Sequence, residues 1–146
     1  MKYLILIVTF IYSCTSHHEV LKSNGDVLLK ELSTYDLVAT TFYAKKSIPN
    51  SVVKYLKKEH WMLADTGMVY NNTDLILDDR IPNSRIIFGG WVSSNLGFVL
   101  YENMGIVSQS NLLIFKTRDK NNVDIEYKFL DCRPKEFLEI RNCASH

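Results

Sequence analysis

At 146 residues the chain is the size of one domain that buries about two thirds of its unfolded surface, and a composition of 47% hydrophobic, 12% aromatic and 23% charged residues excludes an intrinsically disordered chain. Seventeen Lys and Arg stand against sixteen Asp and Glu. That balance excludes the clustered basic footprint that displaces counterions from phosphates, so no nucleic-acid partner is expected.

The chain opens with Lys2 ahead of an apolar run over residues 3–12, far short of the roughly 20 residues a membrane-crossing helix needs. The run stops at Ser13 and Cys14 and turns polar at once. Ile11-Tyr12-Ser13-Cys14 resembles the lipobox of bacterial lipoproteins, in which a small residue precedes a Cys that is lipidated and becomes the new N-terminus. The resemblance covers the first 14 residues and departs from the commonest pattern in its bulky Tyr12. It implies a signal peptide over 1–13, a lipidated Cys14, a polar tether over 14–24, and a membrane partner engaged through several acyl chains. Thr15, rather than Asp, after the Cys implies the periplasmic face of an outer membrane. The alternative is an ordinary secretory leader cut at Cys14-Thr15-Ser16. Removing residues 1–13 takes away Lys2 alone among the charged residues, leaving sixteen charges of each sign. His17 and His18 are adjacent on the tether and read as solvated linker rather than a metal pair.

Residues 25–146 read as a single globular domain. Over 24–35 the apolar residues Val27, Leu28, Leu32 and Tyr35 fall near a helical period, with Asn24 or Asp26 as cap. Residues 36–44 are β-branched and aromatic and read as a strand. Residues 48–60 form the clearest helix, capped by Asn50 or Ser51, with Val52, Val53, Tyr55 and Leu56 on its apolar stripe and Lys54, Lys57, Lys58 and Glu59 facing water. From Trp61 the period changes to two. Strands are expected at 61–65, 67–71, 85–92, 96–103, 111–118 and 123–130, with the long loop 71–83 packing back through Leu75, Ile76 and Leu77. The fold class is therefore α+β: a curled antiparallel β meander of five or six strands packed on two short N-terminal helices.

Three strands are apolar on both sides. Ile86, Phe88 and Val92 oppose Ile87 and Trp91; Phe98 and Leu100 oppose Val99 and Tyr101; Leu112 and Ile114 oppose Leu113 and Phe115. Two short helices cover one such face, and the second needs the 71–83 loop, a curl of the sheet, or a partner. The strand 123–130 instead alternates Val123, Ile125, Tyr127 and Phe129 with Asp124, Glu126 and Lys128, which predicts one dry and one wet face. Gly89, Gly90 and Gly97 are expected where the sheet bends or bulges.

With Cys14 carrying lipid, Cys132 and Cys143 remain as a pair in an oxidising compartment. A bridge between them stabilises by about 2–3 kcal/mol in the chain-entropy model. Helix through the whole intervening segment, with Pro134 in its first turn, would hold the two Cα atoms about 16 Å apart, whereas a disulfide tolerates less than about 7 Å. A bent, bridged C-terminal loop is expected.

No catalytic constellation emerges. Asp74, Asp78, Asp79 and Glu102 are raw material for a hydrolase or a hard cation, but Asp78-Asp79-Arg80 reads more simply as a self-paired loop. No nucleophile elbow, phosphate loop or zinc spacing is present, and no metal or cofactor is expected. Asn71-Asn72-Thr73 matches a glycosylation acceptor, which carries little meaning if the chain is bacterial, as the lipobox resemblance implies. His60, beside Trp61, reads as a helix-end cap or packing residue. Trp91, Tyr101, Tyr70 and Met104 sit on or beside the double-faced strands, and aromatic and Met side chains are what interface centres use. Residues 85–106 resemble blocks seen in small bacterial exported proteins to which no named family or activity attaches. The expectation is a non-enzymatic envelope lipoprotein that binds a protein partner, in the manner of an inhibitor or immunity protein. A carrier of a small apolar ligand in the curled sheet, and a hydrolase using the loop carboxylates, are the alternatives.

Overall fold

The computed structural model describes residues 20–22, 25–71, 80–103, 109–119 and 122–144. Among these residues seven strands and three α-helices follow one another as β1 (Val20–Lys22), α1 (Val27–Leu32), β2 (Thr40–Phe42), α2 (Asn50–Lys58), β3 (Leu63–Ala64), β4 (Ser84–Trp91), β5 (Leu96–Asn103), β6 (Ser110–Thr117), β7 (Val123–Leu130) and α3 (Phe137–Ala144), with a single 3-10 turn at Lys45–Ser47. The α+β class holds, with more strands than expected and with one helix at the C-terminal end. Strands β4 to β7 form the antiparallel meander, while β1 adds parallel to β7 and β3 parallel to β4. The order is β1-β7-β6-β5-β4-β2, with β3 also on β4, so the sheet is open and mixed rather than curled and antiparallel.

The boundary differences have local causes. Val20–Lys22, expected in the tether, finds a hydrogen-bonding partner in β7. Residues 67–71 form no strand, and residues 61–65 and 36–44 contribute only Leu63–Ala64 and Thr40–Phe42. Those two short strands take opposite ends of the same free edge of β4. The cap position expected for α1 is met and that for α2 is not. Pro49, not Asn50 or Ser51, occupies the cap position of α2 and offers no side-chain bond. At α1, Asp26 stands at the cap position, but its side chain makes no cap hydrogen bond and pairs instead with Lys128. Val27 faces solvent while Leu28 and Leu32 are buried.

The two faces of the sheet are both covered by the chain itself. Leu28 and Leu32 of α1 and Phe137 and Ile140 of α3 pack with Phe98, Leu100, Leu112 and Ile114 on one face. Val52 and Leu56 of α2 pack with Val99, Tyr101, Leu113 and Phe115 on the other. Alternation along β5 and β6 thus sorts residues as expected, but the helices split between the faces and α3 joins α1. The surplus apolar face that called for an outside cover is absent among the described residues.

In β4 the alternation breaks. The register with β5 shifts between Ile86 and Phe88, so Ile86 lies against α2 while Phe88 lies with α1 and α3. The extra residue sits at Ile87 and not at a glycine. Thr66 donates its hydroxyl to the carbonyls of Ile86 at 2.8 Å and Ile87 at 3.1 Å, satisfying the groups the bulge takes out of the ladder. Gly89 and Gly97 serve instead as landing places for the rings of Phe42 and Phe115, whose atoms would lie 2.3 Å and 2.6 Å from an added Cβ.

The face of β7 expected to be wet is used to seat α1. Glu126 is buried, and its carboxylate accepts the backbone N–H of Leu28 at 2.8 Å and of Leu29 at 3.2 Å. Lys116 holds Glu31 at 2.6 Å from the neighbouring strand. A helix of six residues has little stability of its own, and these contacts hold it in place.

Cys132 and Cys143 are bridged with their Cα atoms 5.7 Å apart. Helix and bridge coexist because α3 starts at Phe137, leaving residues 133–136 to bend. Lys135 N–H donates to Glu139 at 2.6 Å and steadies that start.

At the other end of α2, His60 adopts φ 63°. Its N–H reaches the Lys57 carbonyl at 3.1 Å, and the Trp61 N–H reaches that of Leu56 at 2.8 Å. This doubly bonded left-handed cap is usually built on glycine, so His60 does cap the helix, at a steric cost. His60→Gly should raise stability by about 1 kcal/mol, read as a higher urea midpoint with an unchanged slope.

Candidate functional site

Where β4 and β5 leave the core, the bulge decides which side chains meet. Away from it Trp91 pairs with Gly97 and Phe88 with Leu100, a register that would set Arg85 opposite Asn103; past it, Arg85 stands opposite Glu102. The Arg85 Nε–H donates to Glu102 Oε1 at 2.9 Å, and a second guanidinium nitrogen also contacts that oxygen. Tyr70 donates its hydroxyl to the same oxygen at 3.2 Å. The Arg85 guanidinium lies over the Tyr70 ring, 4.6 Å from its centre, an arrangement in which the ring's negative face attracts the cation. Burial holds the Tyr70 phenol above its usual value, with the Glu102 charge adding to it and Arg85 and Arg133 opposing it.

Arg85 and Glu102 form one wall of an open cleft of about 530 Å³ that is also lined by Thr66, Arg133, Pro134 and Lys135. Among the described residues its lining holds three cations and one carboxylate. That carboxylate already serves Arg85 and Tyr70, so Arg133 and Lys135 give the cleft a positive excess. Exposed Met68 and Val69 follow directly on its Thr66–Gly67 lining. Such a surface can hold acidic groups and adjacent apolar side chains.

Of the residues expected to meet a partner, Tyr70 does not line this cleft but contacts Glu102 and Arg85, which do. Tyr101 does not line it either: it is 0% exposed, because it points from β5 into the core under α2. Trp91 is half-buried and sets its ring edge-on to Phe115 at 5.0 Å. Met104 lies outside the described residues, as do Cys14, His17, His18 and His146. Of the four carboxylates considered for acid–base work, Asp74, Asp78 and Asp79 also lie outside them. Glu102 is bound to Arg85 and Tyr70.

Among the described residues no cluster of three His, Cys, Asp or Glu is placed to hold a metal ion, and no helix is long and apolar enough to cross a membrane. Arg85, Arg133 and Lys135 had no signal in the sequence as site residues. The opposition of Arg85 and Glu102 depends on a bulge, and the other two arrive from beyond β7 at the bend closed by the disulfide. Compared with known protein families, curated proteins and solved structures, the chain matches none of them.

Proposed function

We propose that this chain is a non-enzymatic binding protein of the bacterial envelope, lipid-anchored through Cys14, which recognises an acidic segment of another envelope protein in the cleft of Arg85, Arg133 and Lys135. The observation that carries the reading is the positive excess of that cleft on a chain whose mature charge is balanced. A neutral protein gains little from long-range attraction, so a local concentration of cations acts at short range and selects a complementary surface. Thr66 and Pro134 bring uncharged contact surface between the cations, which is how specific interfaces combine apolar contact with charge.

A photoreactive residue at exposed position 68, beside the cleft, should yield one discrete cross-linked product in intact cells. Combined Arg133→Glu and Lys135→Glu should reduce its yield about tenfold, through loss of two close charge pairs, while leaving the folded spectrum unchanged. An equal yield from the charge-reversed protein, or no discrete product from the parent, would overturn the reading.

A further inference from the structure

The strand pairings divide the sheet into two poles. Val20 at the start of β1 stands opposite Val123, and Val123 stands opposite Thr117 at the end of β6. Lys116 stands opposite Leu96 at the start of β5, and Gly97 opposite Trp91 at the end of β4. One pole therefore collects the start of β1 and the connections from β4 to β5 and from β6 to β7. The Thr117 N–H donates to the Asn95 carbonyl at 2.8 Å and ties those two connections together. The basic cleft belongs to the other pole: Arg85 lies near the start of β4, Glu102 near the end of β5, and Arg133 just after the end of β7.

Strand geometry sets the distance between the poles. β7 has eight residues, and at about 3.3 Å per residue its ends lie roughly 23 Å apart. β1 runs parallel to β7 and so starts at the pole opposite the cleft. Six peptide steps separate Cys14 from Val20, and in any conformation they span at most about 21 Å. Turning the cleft toward the surface that holds Cys14 would need a segment longer than β7. The three residues of β1 impose this limit. Without their pairing the nearest element would be α1 at Val27, thirteen steps from Cys14, with a reach of up to about 45 Å.

We propose that β1 orients the anchored domain, holding the turn pole toward the lipid and the basic cleft toward the aqueous side, where an acidic segment of a second protein reaches it without competition from headgroups. The inference rests on the anchoring at Cys14 proposed above and adds the direction from which the partner comes. Attraction of basic side chains to an anionic bilayer fades within about 8 Å at physiological ionic strength. A cleft held a strand's length away escapes capture by the lipid.

The test uses the mature lipoprotein, purified in detergent and reconstituted in phosphatidylglycerol vesicles that carry a headgroup-nitroxide lipid. A thiol-reactive fluorophore is placed at Ser94→Cys, exposed between β4 and β5, or at Met68→Cys, exposed beside the cleft. Cys132 and Cys143 are bridged and do not take the label. Quenching at position 94 should exceed that at position 68 severalfold. Inserting about thirty Gly and Ser residues between Ser16 and His17, a coil of roughly 30 Å from end to end, should make the two positions nearly equal. Equal quenching in the parent, stronger quenching at position 68, or a difference that survives the insertion would overturn the proposal. Palmitate labelling of the same samples separates the two readings. A parent that takes no palmitate removes the anchor and this orientation with it, whereas a labelled parent with equal quenching removes the orientation alone.

Discussion

Gly89→Ala should cost about 3 kcal/mol of folding stability, at the upper end of what overpacking does in a tight core. The added carbon would sit 2.3 Å and 2.5 Å from two atoms of the Phe42 ring and 2.8 Å from the Phe98 carbonyl oxygen. The ring end can give way only by leaving a buried position on a short edge strand. The carbonyl belongs to the β4–β5 ladder, where Gly89 pairs with Val99. Both responses loosen β2, whose three residues pair only with Gly89, Gly90 and Trp91. Urea denaturation measures the loss. Trimming the ring in Gly89→Ala with Phe42→Leu should recover about 1 kcal/mol relative to the sum of the single changes, as expected for residues in contact. An effect of Gly89→Ala below about 0.5 kcal/mol would mean that the ring does not lie over the strand.

Glu126→Ala should destabilise by about 2–3 kcal/mol, because it strips the acceptor from two backbone N–H groups at the start of α1 and leaves them without a partner. Glu126→Gln keeps one acceptor oxygen and should lose about half as much. The change is local before it is global. Amides of Leu28 and Leu29 should lose hydrogen-exchange protection first, and those in β5 should follow only with complete unfolding. Uniform loss of protection in both regions would contradict the docked-helix arrangement. The size of the effect reflects a helix of six residues fixed by one strand: Glu126 at its start, Lys128 on Asp26, and Lys116 on Glu31.

These two sites also mark the boundary of what the sequence made legible. The central strands were readable because every residue of β5 is buried and neighbouring residues enter opposite cores, so both faces are written in apolar side chains. Helix α2 was readable from Val52 and Leu56. By contrast β1 and β3 have three and two residues, and their pairing comes from the strands they join. Glu126 looked like one charge of a solvated face, since its partners are 98 and 97 residues away. The glycines pointed to bends, yet the bulge fell at Ile87 and the glycines received rings. Helix α3 was obscured by Pro134, which suggested an early start incompatible with the bridge.

The candidate sites show the same division. Tyr70 and Glu102 could be named from residue type and position, but their meeting with Arg85 depends on the shifted register. Tyr101 was singled out as an aromatic for a surface, and the structure puts it in the wall of a cavity instead. Nothing local distinguishes an inward from an outward tyrosine on a strand that is apolar on both sides.

Arg133 and Lys135 belong to the loop enclosed by the Cys132–Cys143 bridge, a ring spanning 11 positions. While the bridge is intact, the last turn of α3 is tethered to the exit of β7, and both cations keep a fixed stance toward Arg85. Reduction would let that short segment wander and scatter the charges without disturbing the meander. Oxidation of the pair would then do more than toughen the fold: it would set the spacing of the cleft's cations.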